Sequence, residues 1–156
     1  MAWSNSKIFR AHIGDMMTNV AAFDLDTDSI KVALYNTTPT PDQNVAAASS
    51  AFNTGQWVTG NEVSQAVQWP TGGVALASKV VDVSASGVAM FDAADTASGS
   101  AATLSGVFGC LVYEDTLTTP VADQGICYNY FGGTQSVTSG TFTIQWSANG
   151  IYRWTF

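Results

Sequence analysis

Chemistry in this 156-residue chain would have to draw on a single histidine, His12, and two cysteines, Cys110 and Cys127, as base, nucleophile or soft metal ligand. A serine or cysteine nucleophile needs a neighbouring base. His12 falls on the apolar stripe of a predicted helix, the ordinary setting of a core or edge histidine. Two thiols and one distant imidazole fall short of the four ligands of a structural zinc site. Asp24, Asp26 and Asp28 in FDLDTDS begin like a calcium loop, with oxygens at alternate positions. The loop is not completed, because Ser29 stands where the turn-making glycine belongs and Tyr35 where the bidentate acid belongs. These acids read as a solvated approach to a strand.

Asp92, Asp95, Glu114 and Asp115 are the stock for a glycosidase pair, but their spacing does not fix two of them across a cleft. Gly72-Gly73 and Gly132-Gly133 lack the following helix, Lys and Ser/Thr of a phosphate loop, and read as turns. Neither catalytic residues nor a cofactor or metal site is expected, and the chain reads as a non-enzyme. Trp57, Trp69, Trp146 and Trp154, with Tyr128, Tyr130 and Tyr152, offer faces on which sugar rings stack. In strands half of such residues turn inward, so most are assigned to core or subunit interface.

The elements that must position these residues are mainly strands. In FGCLVYEDTLTTPVADQGICYNYF the two apolar runs predict a hairpin that sets Cys110 and Cys127 opposite each other. Two free buried thiols are the expected state in a reducing compartment, with a disulfide as the alternative. Ile30, Val32 and Leu34 alternate with Lys31, Ala33 and Tyr35, which predicts a strand near 29–36. Short strands follow at Val74 to Leu76, Lys79 to Val83 and Val88 to Phe91, the last two joined as a hairpin across SAS. Ahead of them, Ile8, Phe9, His12, Ile13, Met16, Met17 and Val20 fall at helical spacing, which predicts one amphipathic helix packed through Ile13 to Val20. The expected fold is mainly β in one domain, residues 1–156. It is an antiparallel β-sandwich or jelly-roll-like barrel of about eight short strands with one N-terminal amphipathic helix.

Two segments stand outside the strand pattern. Residues 1–10 read as a docking arm that presents Ala2, Trp3, Ile8 and Phe9 to a partner, and deleting its first seven residues is expected to leave a folded protein. Residues 39–55, with Pro39, Pro41 and Phe52, read as a long surface loop that makes a second contact with the partner or a contact within the trimer.

Composition excludes several function classes. The charged fraction is 11%, less than half the roughly 25% of ordinary soluble domains. The net charge is −7, with only Lys7, Arg10, Lys31, Lys79 and Arg153 as cations, so no basic patch neutralises a run of phosphates and nucleic acid is not an expected partner. No apolar run has membrane-spanning length. MAWSNSKIFRAHIGD lacks the apolar stretch of a signal peptide, so folding in the cytoplasm of the producing cell is expected.

The strings FDLDTDSIKVALYNTT, FDAADT, FGCLVYEDTLTTPVADQGICYNYFGG and SGTFTIQWSANGIYRWTF, in this order, resemble a family of small virion structural proteins of tailed bacteriophages. The resemblance covers most of the chain and contains no chemical motif. It implies a decoration, or cement, protein on the outer capsid surface, assembled in the host cytoplasm. The implied partners are the major capsid protein and further copies of the chain, as a homotrimer. A tail-tube or tail-tip protein is the second class, and a receptor- or carbohydrate-binding virion module the third.

Overall fold

The structure, a computed structural model, describes residues 3–156; Ala2, expected in the docking arm, lies outside the described residues. A two-residue strand, β1 (Lys7–Ile8), precedes helix α1 (Arg10–Thr18), and the predicted strand near 29–36 forms as β2 (Ile30–Tyr35). A single-turn helix, α2 (Ala47–Ser50), and a 3-10 turn at Thr59–Asn61 follow. Four short strands come next: β3 (Val74–Ala75), β4 (Val80–Asp82), β5 (Val88–Asp92) and β6 (Thr96–Ala97). The long pair β7 (Ala102–Glu114) and β8 (Gly125–Gly140) leads to β9 (Thr143–Ile144) and β10 (Tyr152–Thr155). Strand outweighs helix, 39% against 10%, so the chain is mainly β, as expected.

The strands form a five-stranded sheet in the order β1-β8-β7-β2-β3, a three-stranded sheet β10-β5-β4 and a pair β6-β9. All the pairings are antiparallel. β4 and β5 form the expected hairpin, with Val81 opposite Phe91. One face of the large sheet carries Ile30, Val32, Leu34, Cys110 and Val112, and it shares a core with Phe91 of β5 and with Ile151 just before β10. That is the sandwich interior. Ile126 is an extra residue in β8, since Val112 pairs with Cys127 while Tyr113 pairs with Gly125. A bulge of this kind lets neighbouring residues turn to the same side, and Ile126 and Cys127 both enter the sandwich core.

The other face of the large sheet is also buried. Ala33, Tyr35, Leu111, Tyr113 and Tyr128 lie under a cover built from Trp3, Phe9, Trp57 and the partly buried Val45 and Phe52. The expectation of an exposed docking arm is therefore corrected: Trp3 is 1% exposed and Phe9 fully buried. Two strand glycines make room for them. A Cβ on Gly109 would come within 2.4 Å of the Trp3 ring, and one on Gly125 within 2.8 Å of the Phe9 ring. Ile8, half-buried in β1, packs against the sandwich core instead.

The 39–55 segment is corrected in the same way, from a surface loop to a layer of the fold. Pro39 is buried, Pro41 half-buried, and the Phe52 ring stacks on Tyr113 with centroids 5.0 Å apart. Its backbone is tied down where Arg10 N–H donates to the Gln43 carbonyl and Phe52 N–H to that of Asp123, each at 3.0 Å. The helix differs from expectation as well. It begins at Arg10, because Lys7 and Ile8 pair with β8, and it buries only His12. Met17 is 81% exposed and Val20 58%, so the expected packing through Val20 is not made.

Trp3→Ala is expected to lower the unfolding free energy by about 3–5 kcal/mol, as large-to-small changes at buried aromatics do, and removal of residues 1–7 to cost at least as much. Urea unfolding followed by tryptophan fluorescence measures both; an unchanged midpoint would show that the aromatic cover does not hold the sheet.

Candidate functional site

The titratable side chains singled out by type are not gathered in one place. His12 lies between aromatic rings, 4.5 Å from the Phe23 centroid and 6.1 Å from that of Tyr152. Its Nε2 shares a hydrogen bond with Tyr152 Oη at 3.3 Å, and its buried Nδ1 has no partner. Burial lowers its pKa to about 3, so the ring is neutral near pH 7 and the imidazolium is strongly disfavoured. Its hydrogen-bond partner is the Tyr152 hydroxyl rather than either thiol.

Cys110 faces Asn129 and Cys127 faces Val112. The thiols are thus offset along the hairpin rather than directly opposite, a correction that follows from the register of β7 and β8. Both are buried and unbridged. Burial pushes the Cys127 thiol up to about 12 and raises that of Cys110 further. Neither forms thiolate readily.

Each of the sequence-selected carboxylates has its own place in the fold. Glu114, fully buried, accepts the Thr116 N–H at 2.7 Å and the Leu117 N–H, and so closes the turn that follows β7. Burial raises its pKa against the pull of those two amides. Asp115 pairs with Lys31 at 3.0 Å, and Asp95 accepts the Trp146 N–H at 3.0 Å. Asp92 sends one buried oxygen inward without a partner. Within FDLDTDS, Asp28 accepts the Asp24 N–H at 2.8 Å and Asp24 accepts that of Thr27 at 3.4 Å, so these acids fasten their own turn. Among the described residues no group of three or more His, Cys, Asp or Glu is placed to hold a metal ion.

One acid that sequence reasoning missed has the most perturbed carboxyl. Glu62 accepts the Gly72 N–H at 2.8 Å through Oε1, while Oε2 is buried without a partner. Burial raises its pKa to about 7, opposed by the Gly72 and Gly73 amides. Above it Tyr113 Oη donates to the Gly72 carbonyl at 2.7 Å and Tyr35 Oη to that of Trp57. The carboxyl thus binds the 72–73 turn to the aromatic cover. Its signal was available in the sequence: between Asp42 and Lys79 it is the only charged residue.

The aromatics divide as their strands do. Trp57, Trp69 and Tyr128 are buried, whereas Trp146, Trp154, Tyr130 and Tyr152 are half-buried and do not form one platform. Trp154 contributes to the most apolar concavity, a groove of about 320 Å³ that also involves Met16, Phe23, Leu25, Val81 and Ala89. The exposed Asp24 and Asp26 join its lining.

Comparison with known proteins adds no identity to this geometry: no family model, no curated protein and no solved structure matches the chain.

The two perturbed groups act on stability in opposite senses. Glu62 holds its proton more tightly folded (about 7) than unfolded (4.5), so its contribution is greatest below pH 4.5 and is lost as pH rises toward 7. His12 is the reverse, with a folded pKa of about 3 against 6.5, and its contribution is complete above 6.5 and is lost as pH falls toward 3. Denaturation curves from pH 3 to 8 are expected to lose part of their alkaline-side decline in Glu62→Gln and part of their acid-side decline in His12→Phe; unchanged slopes would refute both assignments. The thiols supply a separate check. Ellman's reagent is expected to find neither cysteine in the native protein and both after unfolding, and fast native labelling would contradict their burial.

Proposed function

We propose that this protein is a non-enzymatic structural component of a tailed-phage virion: a decoration protein that binds the outer face of the head as a homotrimer and bridges neighbouring capsid subunits. The observation that carries the non-enzymatic part is the engagement of the reactive groups by the fold itself. His12 is enclosed by rings, the thiols are held protonated in the core, Glu114 closes a turn and Glu62 secures another. The virion part rests on the ordered strings that resemble the phage family.

The physical character of the chain supports that placement. A net charge of −7 favours an outer surface over one facing packaged DNA, where phosphates would repel it. A sheet clad on both faces presents a stiff body, which loses little conformational entropy on docking. Binding several subunits together raises the effective concentration of each contact, so weak contacts sum to slow release. Trp3 and Phe9 are committed to the core, so the contacts of such an assembly fall to side chains the fold leaves accessible, including the partly exposed Ile8, Pro41 and Phe52.

The test is to add tagged protein to phage heads and whole particles lacking it, then locate the tag by electron microscopy. Regular labelling over the shell is the expected result and gives the symmetry of attachment. Label confined to the tail, or absent from both, overturns the decoration assignment.

A further inference from the structure

We infer that the groove between helix α1 and the three-stranded sheet binds a short apolar peptide segment flanked by basic residues, supplied by a partner protein. The inference stands whether or not the protein binds virion shells.

The floor of the groove continues a core face beyond its cover. Across β4, β5 and β10 the register aligns Val81, Phe91 and Tyr152 on one face, and two residues along, Ala89 and Trp154 form the next pair on that face. Phe91 is 1% exposed, whereas Val81 is 41% exposed and Trp154 half-buried. The same apolar face is therefore sealed at Phe91 and left partly open around it, most of all at Val81 on β4. Met16 of α1 and Phe23 and Leu25 of the following segment form the opposite wall. Met17, the next residue of the helix, is 81% exposed. At about 320 Å³ the groove is at the small end of ligand sites, with room for a short apolar motif.

Charge selects the occupant. Asp24 and Asp26 sit in the lining, and the one salt bridge among the described residues, Lys31–Asp115, involves neither. Asp24 spends one oxygen on the Thr27 amide, and its charge remains uncompensated. A second copy docked through this same groove would set its own Asp24 and Asp26 against these acids, and like charges oppose that particular contact while leaving other faces free for self-association. A segment with apolar side chains for the floor and Lys or Arg for the acids satisfies both features, as in other grooves that read a peptide through anchors and a charged rim.

Fluorescence anisotropy with three labelled twelve-residue peptides tests this: one of leucine and lysine, one of leucine and glutamate, and one of serine and lysine. The full-length protein at physiological salt is expected to bind the leucine–lysine peptide at least tenfold more tightly than either of the others. Ala89→Arg, which fills the groove and adds a cation, and the double change Asp24→Asn with Asp26→Asn are each expected to weaken that binding at least fivefold. Asp42→Asn, remote from the groove, should leave it unchanged. Equal binding of the serine–lysine peptide would mean charge attraction alone and overturn the inference, as would leucine–lysine binding indifferent to the groove variants. Circular dichroism verifies folding; should Ala89→Arg not fold, the aspartate pair decides.

Discussion

Strand β2 and the stretch of β7 paired with it are buried on both faces, and most of the structure answers to that constraint. A strand with one wet face needs one cover; Ile30–Tyr35 and its partner Gly109–Glu114 need two. The small sheet supplies the first in the ordinary manner of a sandwich. The second has no sheet of its own. It is assembled from single aromatic side chains carried by segments without regular structure, which is why the residues before β1 and those between β2 and β3 cannot be loose.

The polar groups inside this arrangement have a structural purpose. Tyr35 and Tyr113 reach the carbonyls of Trp57 and Gly72, and Glu62 holds the Gly72 amide from the other side. Irregular backbone laid over a sheet brings its own donors and acceptors into a dry place, where each one left unpaired is costly. Side chains from the sheet and the segment itself meet that demand. The leftover oxygen on Glu62 and the leftover nitrogen on His12 are two of the places where the matching is incomplete, and at these two protonation couples to folding.

What could be read from the sequence followed from local periodicity. The alternation in IKVALY, the hairpin across SAS and the two long carboxy-terminal strands all formed where the pattern placed them. The same pattern in β2 already held part of the missed clue, since the face of Ala33 and Tyr35 has Lys31 at one end as its only charged residue and is otherwise weakly marked for water. Trp3, Phe9 and Phe52 read as free because no element near them in sequence claims them. Tyr113 and Tyr128, on which they pack, lie far along the chain, beyond any local window. The register offset of Cys110 and Cys127 was likewise invisible, because it depends on where the hairpin turn falls and is enlarged by the bulge at Ile126, neither of which spacing alone reveals. The apolar groove escaped for a similar reason: Met16, Val81 and Trp154 come from three distant segments.

The slots at Gly109 and Gly125 bear on the order of events during synthesis. Trp3 and Phe9 leave the ribosome well ahead of the strand glycines Gly109 and Gly125 that receive them, and those surfaces belong to β7 and β8, far further along the chain. Until those strands form, two large rings remain in solvent beside a helix with nothing to lean on. Contacts of such sequence separation form late and slowly, and transiently exposed apolar groups are those that draw growing chains into aggregates. A nascent chain of this protein is therefore vulnerable at the segment that carries Trp3 and Phe9, and the closing of the aromatic cover marks the moment at which that vulnerability ends.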